Sequence, residues 1–123
     1  SDLKSINIMK TFGSSKSFFS GAKMKWETVD PGVQRKIMGY DDKIMLVHVI
    51  FEKGGVGSVH KHHHSQVSYV SSGVFEITID GETQKLEEGD SFYVPPNTLH
   101  GAFCIEAGEL VDVFSPIRED FML

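Results

Sequence analysis

The chain contains one cysteine, Cys104. No internal disulfide can staple it, so stability must come from a packed core, and a reducing, cytoplasmic compartment fits that chemistry. Basic residues are in short supply, with 12 Lys and Arg against 17 Asp and Glu for a formal charge of −5. That balance argues against broad binding to nucleic acid, which needs a basic face. Long apolar runs are missing as well. The longest, Ile44 to Phe51, is interrupted by His48 and falls far short of the ~20 residues that cross a bilayer. No charged-then-apolar leader opens the sequence, so neither a membrane nor a secreted destination is expected. Helical periodicity of useful length is absent before Arg118.

What remains is ordinary globular composition, 40% hydrophobic and 24% charged, in a chain of 123 residues, enough for one small domain. Residues 1–24 are rich in Ser, Lys and Gly and read as an N-terminal arm, with Met9 as a candidate native start behind vector residues. Residues 25–123 read as a single all-β unit. Trp26 to Val29, Val33 to Tyr40 and Lys43 to Glu52 form strands parted by Asp30-Pro31-Gly32 and Asp41-Asp42. Gln66 to Ser71 and Val74 to Ile79 follow, the second ending at Asp80-Gly81, a strong hairpin signal. Gln84 to Leu86 and Ser91 to Val94 precede the break at Pro95-Pro96-Asn97, and Leu99 to Ile105 pairs with Leu110 to Phe114 around Glu106 to Glu109. Many short strands at this spacing predict an antiparallel sandwich or barrel.

The unusual feature is six histidines, four of them between residues 60 and 64. On a strand, His60 and His62 project from one face and can meet one ion. Gln66 lies at the entry to the next strand, and His100 follows the Pro95-Pro96-Asn97 turn. Three imidazoles and one oxygen donor suit a divalent transition metal: nickel, zinc, manganese, iron or copper. The plain alternative is an exposed chelating tract. His63 and His64 read as peripheral, with replacement of His62 by one of them the main alternative. His48 shares a strand face with Ile44, Leu46 and Ile50 and reads as a core or interface histidine. Cys104 reads as a packed strand residue, since the sequence places no base beside it. Tyr69 and Tyr93 are candidates for lining a cup.

The intervals resemble the two motifs of the cupin family. Gly54, five residues, His60-Lys61-His62, three residues, Gln66, six residues and Gly73 match the first. Gly89, five residues, Pro95-Pro96-Asn97, two residues and His100 match the second. The resemblance implies a single-domain cupin, a double-stranded β-helix or jelly-roll barrel, holding a metal on His60, His62, Gln66 and His100. Three positions depart from the pattern. Asn97 stands for a glycine, which Asn replaces mildly because it tolerates positive φ. Cys104 stands for an asparagine. Gln66 stands for a glutamate, so a neutral donor would leave the ion its full charge and its power to polarise a bound oxygen; Gln66 as a hydrogen-bonding neighbour of a three-His site is the alternative.

From Trp26 onward the sequence is similar to the KdgF-type cupins of uronate catabolism, through Trp26-Glu27, Pro31-Gly32-Val33, Lys43 to Val47, His60 to Gln66, and Asp112-Val113-Phe114-Ser115-Pro116 running into Arg118-Glu119-Asp120-Phe121. That resemblance implies ring opening of 4,5-unsaturated uronates, released from pectin or alginate, into linear 5-keto-4-deoxyuronates. Asp112 lies in an otherwise apolar strand, where an unpaired buried carboxylate costs several kcal/mol. It is either an edge residue in water or a carboxylate facing the metal cup with Phe114 as a wall. Arg118 is either a solvated tail residue or a bidentate clamp for a substrate carboxylate, with Arg35 a weaker second clamp. Asp112, Phe114 and Arg118 are thus the candidate catalytic residues, and a small carbohydrate acid the expected partner. A dioxygenase or isomerase using iron or manganese and a non-catalytic sugar-binding cupin are the other readings. Two apolar strands suggest covered outer sheet faces and a homodimer.

Overall fold

The computed structural model describes residues 11–123, so the suggestion about Met9 lies outside the described residues. Eight strands alternate with tight turns: β1 (Glu27–Asp30), β2 (Val33–Asp41), β3 (Ile44–Phe51), β4 (Val56–His60), β5 (Ser65–Ile79), β6 (Glu82–Glu87), β7 (Ser91–Val94) and β8 (His100–Ser115). Among the described residues the only helical elements are short 3₁₀ turns at Gly21–Lys23 and Glu119–Met122, and no helix is long and apolar enough to cross a membrane. The Asp80-Gly81 signal is borne out: both residues have positive φ, 50° and 82°, as a two-residue type I′ hairpin turn requires.

All pairings are antiparallel. The sheet runs β1-β2-β3-β8-β5-β6, with β4 on β8 and β7 on β5. β5 and β8 each serve two layers. The first half of β5 lies between β7 and the second half of β8, beside β3; its second half lies between β6 and the first half of β8, beside β4. The result is a rolled double layer, the jelly roll of the cupin fold.

Two details of the sequence reading need correction. Gln66–Ser71 and Val74–Ile79 are one strand, β5, and Glu106–Glu109 does not turn a hairpin but lies within continuous β8. Each strand bends where it passes from one layer to the other, because each half finds its partner in the other long strand. Glycines permit the bend. Gly73 has φ +83°, and a Cβ there would lie 2.5 Å from Gly108 Cα; a Cβ on Gly108 would lie 2.2 Å from Ser72 O. Only two backbones without side chains can touch so closely.

The core follows the two-residue period of the strands. Met45, Val47, Val49 and Phe51 of β3 point inward with Val70, Phe75, Ile77, Cys104, Leu110 and Phe114, and Phe51 meets Phe75 edge to face at 5.1 Å. His48 lies on the outer side, where its Nε2 and Glu109 Oε1 are 2.5 Å apart and its ring meets Trp26 edge-on. Tyr69 and Tyr93 also face outward, 49% and 55% exposed, so neither lines the interior. Residues 12–24 run outside the sheet and are tied to its edge by Phe12 N–H to Asp42, Ser15 N–H to Tyr40 O and Lys36 Nζ to Gly21 O.

A prediction follows for the crossing. Gly108→Ala should cost at least ~2 kcal/mol in chemical denaturation, since a methyl has no room there. Gly89→Ala, at φ +94° with nothing within 4 Å of the added Cβ, should cost only the ~1 kcal/mol of backbone strain. Equal losses would refute the close-approach account.

Candidate metal centre and its cup

The two motif histidines meet because of strand register. His60 ends β4, His100 begins β8, and the two are paired opposite each other, with ring centroids 4.4 Å apart. His62 sits in the following loop, 4.8 Å from the His100 ring. Asn97, in the left-handed region at φ 59°, donates its N–H to His62 O at 2.7 Å and so locks one motif onto the other. One nitrogen from each of His60, His62 and His100 falls within 4.8 Å of the others.

The hydrogen bonds of these rings determine which nitrogens are available. Nδ1 of His60 lies 2.7 Å from Ser58 O, Nδ1 of His62 is 3.2 Å from His64 O, and Nδ1 of His100 is 2.9 Å from Thr98 O. A carbonyl accepts only, so Nδ1 of His60 and of His100 carries the proton and Nε2 presents its lone pair, while His62 meets a carbonyl oxygen at each nitrogen, His64 O at Nδ1 and Gln66 Oε1 at Nε2. Backbone carbonyls orienting imidazoles in this way are the usual outer shell of a metal site. Burial, with the nearby Arg118, drives the His62 pKa down to about 4, and burial also lowers that of His100. Both rings are therefore neutral near pH 7, as ligation requires.

Gln66 extends the pattern. It is buried on β5, and its Oε1 lies 3.1 Å from His62 Nε2 while its Nε2 donates to Ser68 Oγ at 3.0 Å. Ser68 Oγ in turn donates to Asp112 Oδ1 at 2.5 Å. A neutral His62 ring has one proton for its two carbonyl neighbours, His64 O and Gln66 Oε1, so one of them faces a bare ring nitrogen. A cation at His62 Nε2 would leave the proton to His64 O and satisfy Gln66 Oε1 as well, so the donor set fits a divalent metal.

Beside this cluster lies a cavity of about 380 Å³, whose walls include His60, Gln66, His100, Asp112, Phe114 and Arg118. Asp112 is not an edge residue: β8 lies between β3 and β5, and Asp112 is opposite Ser68. Burial raises its pKa to about 6, against the opposing pull of the Ser68 hydrogen bond and Arg118. Arg118 is not solvated either; it is 7% exposed. Its Nε and Nη2 grip Asp120 at 3.0 and 2.8 Å, and its guanidinium lies 4.1 Å from the Phe121 ring and 5.0 Å from that of Phe114. Arg35 reaches the same wall, 3.8 Å over Phe121, but is paired with Glu27.

His63 and His64 stand apart from the three-imidazole cluster. With Glu119 they form a second group of close donors, which the geometry explains as a clasp. His64 Nε2 faces Ile117 O at 3.1 Å and Glu119 Oε2 at 3.0 Å, and His63 Nε2 is 2.7 Å from Glu119 Oε1. A metal on His64 Nε2 would force a proton onto its Nδ1, which is buried without a partner, so the clasp is the better account. Burial pushes the Glu119 carboxyl up, but the hydrogen bonds of both imidazoles outweigh it and bring the pKa to about 2. The segment carrying Arg118 and Phe121 is thereby held over the cavity.

Sequence reasoning missed Ser68, Asp120, Phe121 and Glu119 as parts of the site. Ser68 had a signal, since it shares a strand face with Gln66, but its pairing with Asp112 depends on a register the sequence does not state. Cys104, at the second motif's asparagine position, is fully buried with its Sγ 3.0 Å from Glu106 O. Burial raises its thiol pKa, the opposite of a nucleophile.

Fold and site together define a cupin with a three-imidazole group able to hold a metal ion. A profile of the cupin domain matches residues 47–114, and the chain belongs to the cupin family. Among individual proteins it is similar to pectin degradation protein KdgF of Dickeya dadantii (strain 3937), 41% identical over 107 residues that cover 85% of this chain and 97% of that one. The structure of KdgF from a Halomonas species is 44% identical, covers 89% of this chain and 100% of its own, and superposes with a TM-score of 0.82. An RmlC-like cupin from Shewanella frigidimarina NCIMB 400 is also 44% identical, over 89% of this chain and 99% of its own, with a TM-score of 0.86.

The buried Asp112 carries a testable cost. Its carboxyl titrates at about 6 when folded but near ~3.9 in an unfolded chain. The folded form holds the proton more tightly between those values, so this group's contribution to stability falls as pH rises through that window. In metal-free protein, Asp112→Asn should therefore raise Tm by a few degrees at pH 8, on the order of 1–2 kcal/mol. The gain should vanish by pH 4, and an equal effect at both pH values would show that charge burial is not the cause.

Proposed function

We propose that this chain is a metal-dependent enzyme that opens 4,5-unsaturated uronates from pectin or alginate into linear 5-keto-4-deoxyuronates, acting in the cytoplasm. The observation that carries the reading is the convergence of three imidazole donors, the Asp112 carboxyl and the Arg118 guanidinium on one cavity. The similarity to KdgF supports the substrate class. The reaction is an isomerisation: the hemiacetal bond between C1 and the ring oxygen breaks, the C1 hydroxyl loses a proton, and C4 gains one.

A divalent ion (nickel, zinc, manganese or iron) held by His60, His62, Gln66 and His100 would supply Lewis-acid polarisation of a substrate oxygen. The protein's own groups do the rest. With Asp120 occupying the Nε/Nη2 edge of Arg118, the Nη1 side remains for the substrate carboxylate. Phe114, buried between His62 and Arg118, is the flat wall that fixes the sugar ring. Asp112, with a pKa of about 6, is poised to take a proton from an oxygen and return it to C4 near neutral pH.

The test is loss of the ultraviolet absorbance of the C4–C5 double bond when metal-loaded protein meets an unsaturated monouronate, without oxygen uptake. Asp112→Asn should slow it at least ~100-fold with the metal still bound, and chelation should abolish it. No acceleration by the loaded protein, or an unchanged rate in Asp112→Asn, would defeat the assignment.

We also propose a homodimer. Tyr93 lies opposite Val67, Val67 opposite Val113, and Val113 opposite Leu46, a contiguous outward apolar row with Val67 and Tyr93 half-exposed. Light scattering should give twice the chain mass, and Val67→Lys with Tyr93→Lys should give a monomer. A wild-type monomer would refute the assembly.

A further inference from the structure

The ligand at position 66 is an amide where the cupin motif has a carboxylate, and the chain of hydrogen bonds behind it supplies a reason. Ser68 is fully buried and has one hydroxyl proton. That proton goes to Asp112 Oδ1 at 2.5 Å, in a cross-strand pair fixed by the register of β5 and β8. Ser68 Oγ can then only accept from position 66, and Gln66 Nε2 donates to it at 3.0 Å. A carboxylate at 66 has nothing to donate. It would place a third charged or lone-pair oxygen beside Ser68 and Asp112, with one proton to share among them.

We infer that Ser68 is a positioning residue whose bond to Asp112 gives the chain Asp112–Ser68–residue 66 a single polarity, and that this polarity selects glutamine over glutamate at position 66. The same bond aims the amide oxygen of Gln66 at His62 Nε2, 3.1 Å away. The buried acid thereby dictates the charge of the metal's donor set from the far side of a serine. The inference rests on the reading of Gln66 as a metal donor only for its consequence at the ion. The hydrogen-bond polarity itself is independent of the proposed activity.

The test is a double-mutant cycle on the full-length, metal-free protein at pH 8, read by thermal melting without substrate, so its outcome does not depend on whether unsaturated uronates are turned over. Gln66→Glu should lower Tm by about 5 °C or more. In Gln66→Glu/Asp112→Asn the polarity of the chain reverses: the new amide at position 112 donates to Ser68, and Ser68 donates to the new carboxylate at position 66. Beyond the gain that Asp112→Asn gives on its own, at least half of the loss in Tm should then return. Removal of carboxylate repulsion alone would also give a recovery, so the cycle is repeated in Ser68→Ala, where the two substitutions should add. Recovery that persists undiminished in Ser68→Ala overturns the inference, as does a Gln66→Glu protein that melts like wild type. Should Gln66→Glu fail to fold, the double variant must fold, and its failure counts against the inference. As a separate readout, Ser68→Ala should weaken Ni²⁺ binding about tenfold in competition with a chromophoric chelator; wild-type affinity would remove the orienting role.

Discussion

The pairing of β5 with β8 is the constraint on which the rest of the molecule depends. One ladder carries Gln66 and Ser68 on one strand and His100, Asp112 and Phe114 on the other. A slip of one residue would turn every one of these side chains to the opposite face. The ladder is pinned at its middle by the contact of Gly73 with Gly108 and at its ends by different neighbours, β7 and β3 in one layer, β6 and β4 in the other. The bend that lets both strands change layer also curves the inner face into a cup. Fold and site are therefore one geometric object.

Gln66, Ser68 and His100 are buried in this cup, and their polar groups must satisfy one another. The arrangement does this by directing protons outward. His60 and His100 give their Nδ1 protons to main-chain carbonyls, and Gln66 and Ser68 pass theirs toward Asp112. The centre is left rich in lone pairs, from His60, His100 and Gln66, which is what a cation needs. Arg118 faces the same space with its charge already half-committed to Asp120, so its geometry is set before any ligand arrives.

Much of this was legible in the sequence, and the limits have physical causes. His60, His62, Gln66 and His100 stood out because motif intervals record where strands begin and end. Asp112 stood out because a carboxylate in an apolar strand needs a reason. Asn97 was read correctly as a tolerable left-handed residue. What escaped was long-range. The Glu106–Glu109 segment has the polarity of a hairpin turn, yet the flanking halves pair with β5 and not with each other, and local composition carries no record of that choice. Tyr69 and Tyr93 could not be assigned a side, since alternation gives two faces without saying which is inner. Glu119 and Asp120 carry no signal of their own in the sequence, and only the folded position of His63 and His64 gives Glu119 a task.

That tail has one more implication. Residues 117–121 follow the last strand, so no ladder holds them; Ile117 N–H bonds Asp42 O, and Glu119 clasps the two imidazoles. Ile117 is nonetheless part of the buried core, with Phe121 packed against it, so side-chain burial holds the segment where no backbone ladder does. The cavity's cationic wall is thus rooted in the barrel's own core through Ile117, and the protein cannot give up the first without uncovering part of the second.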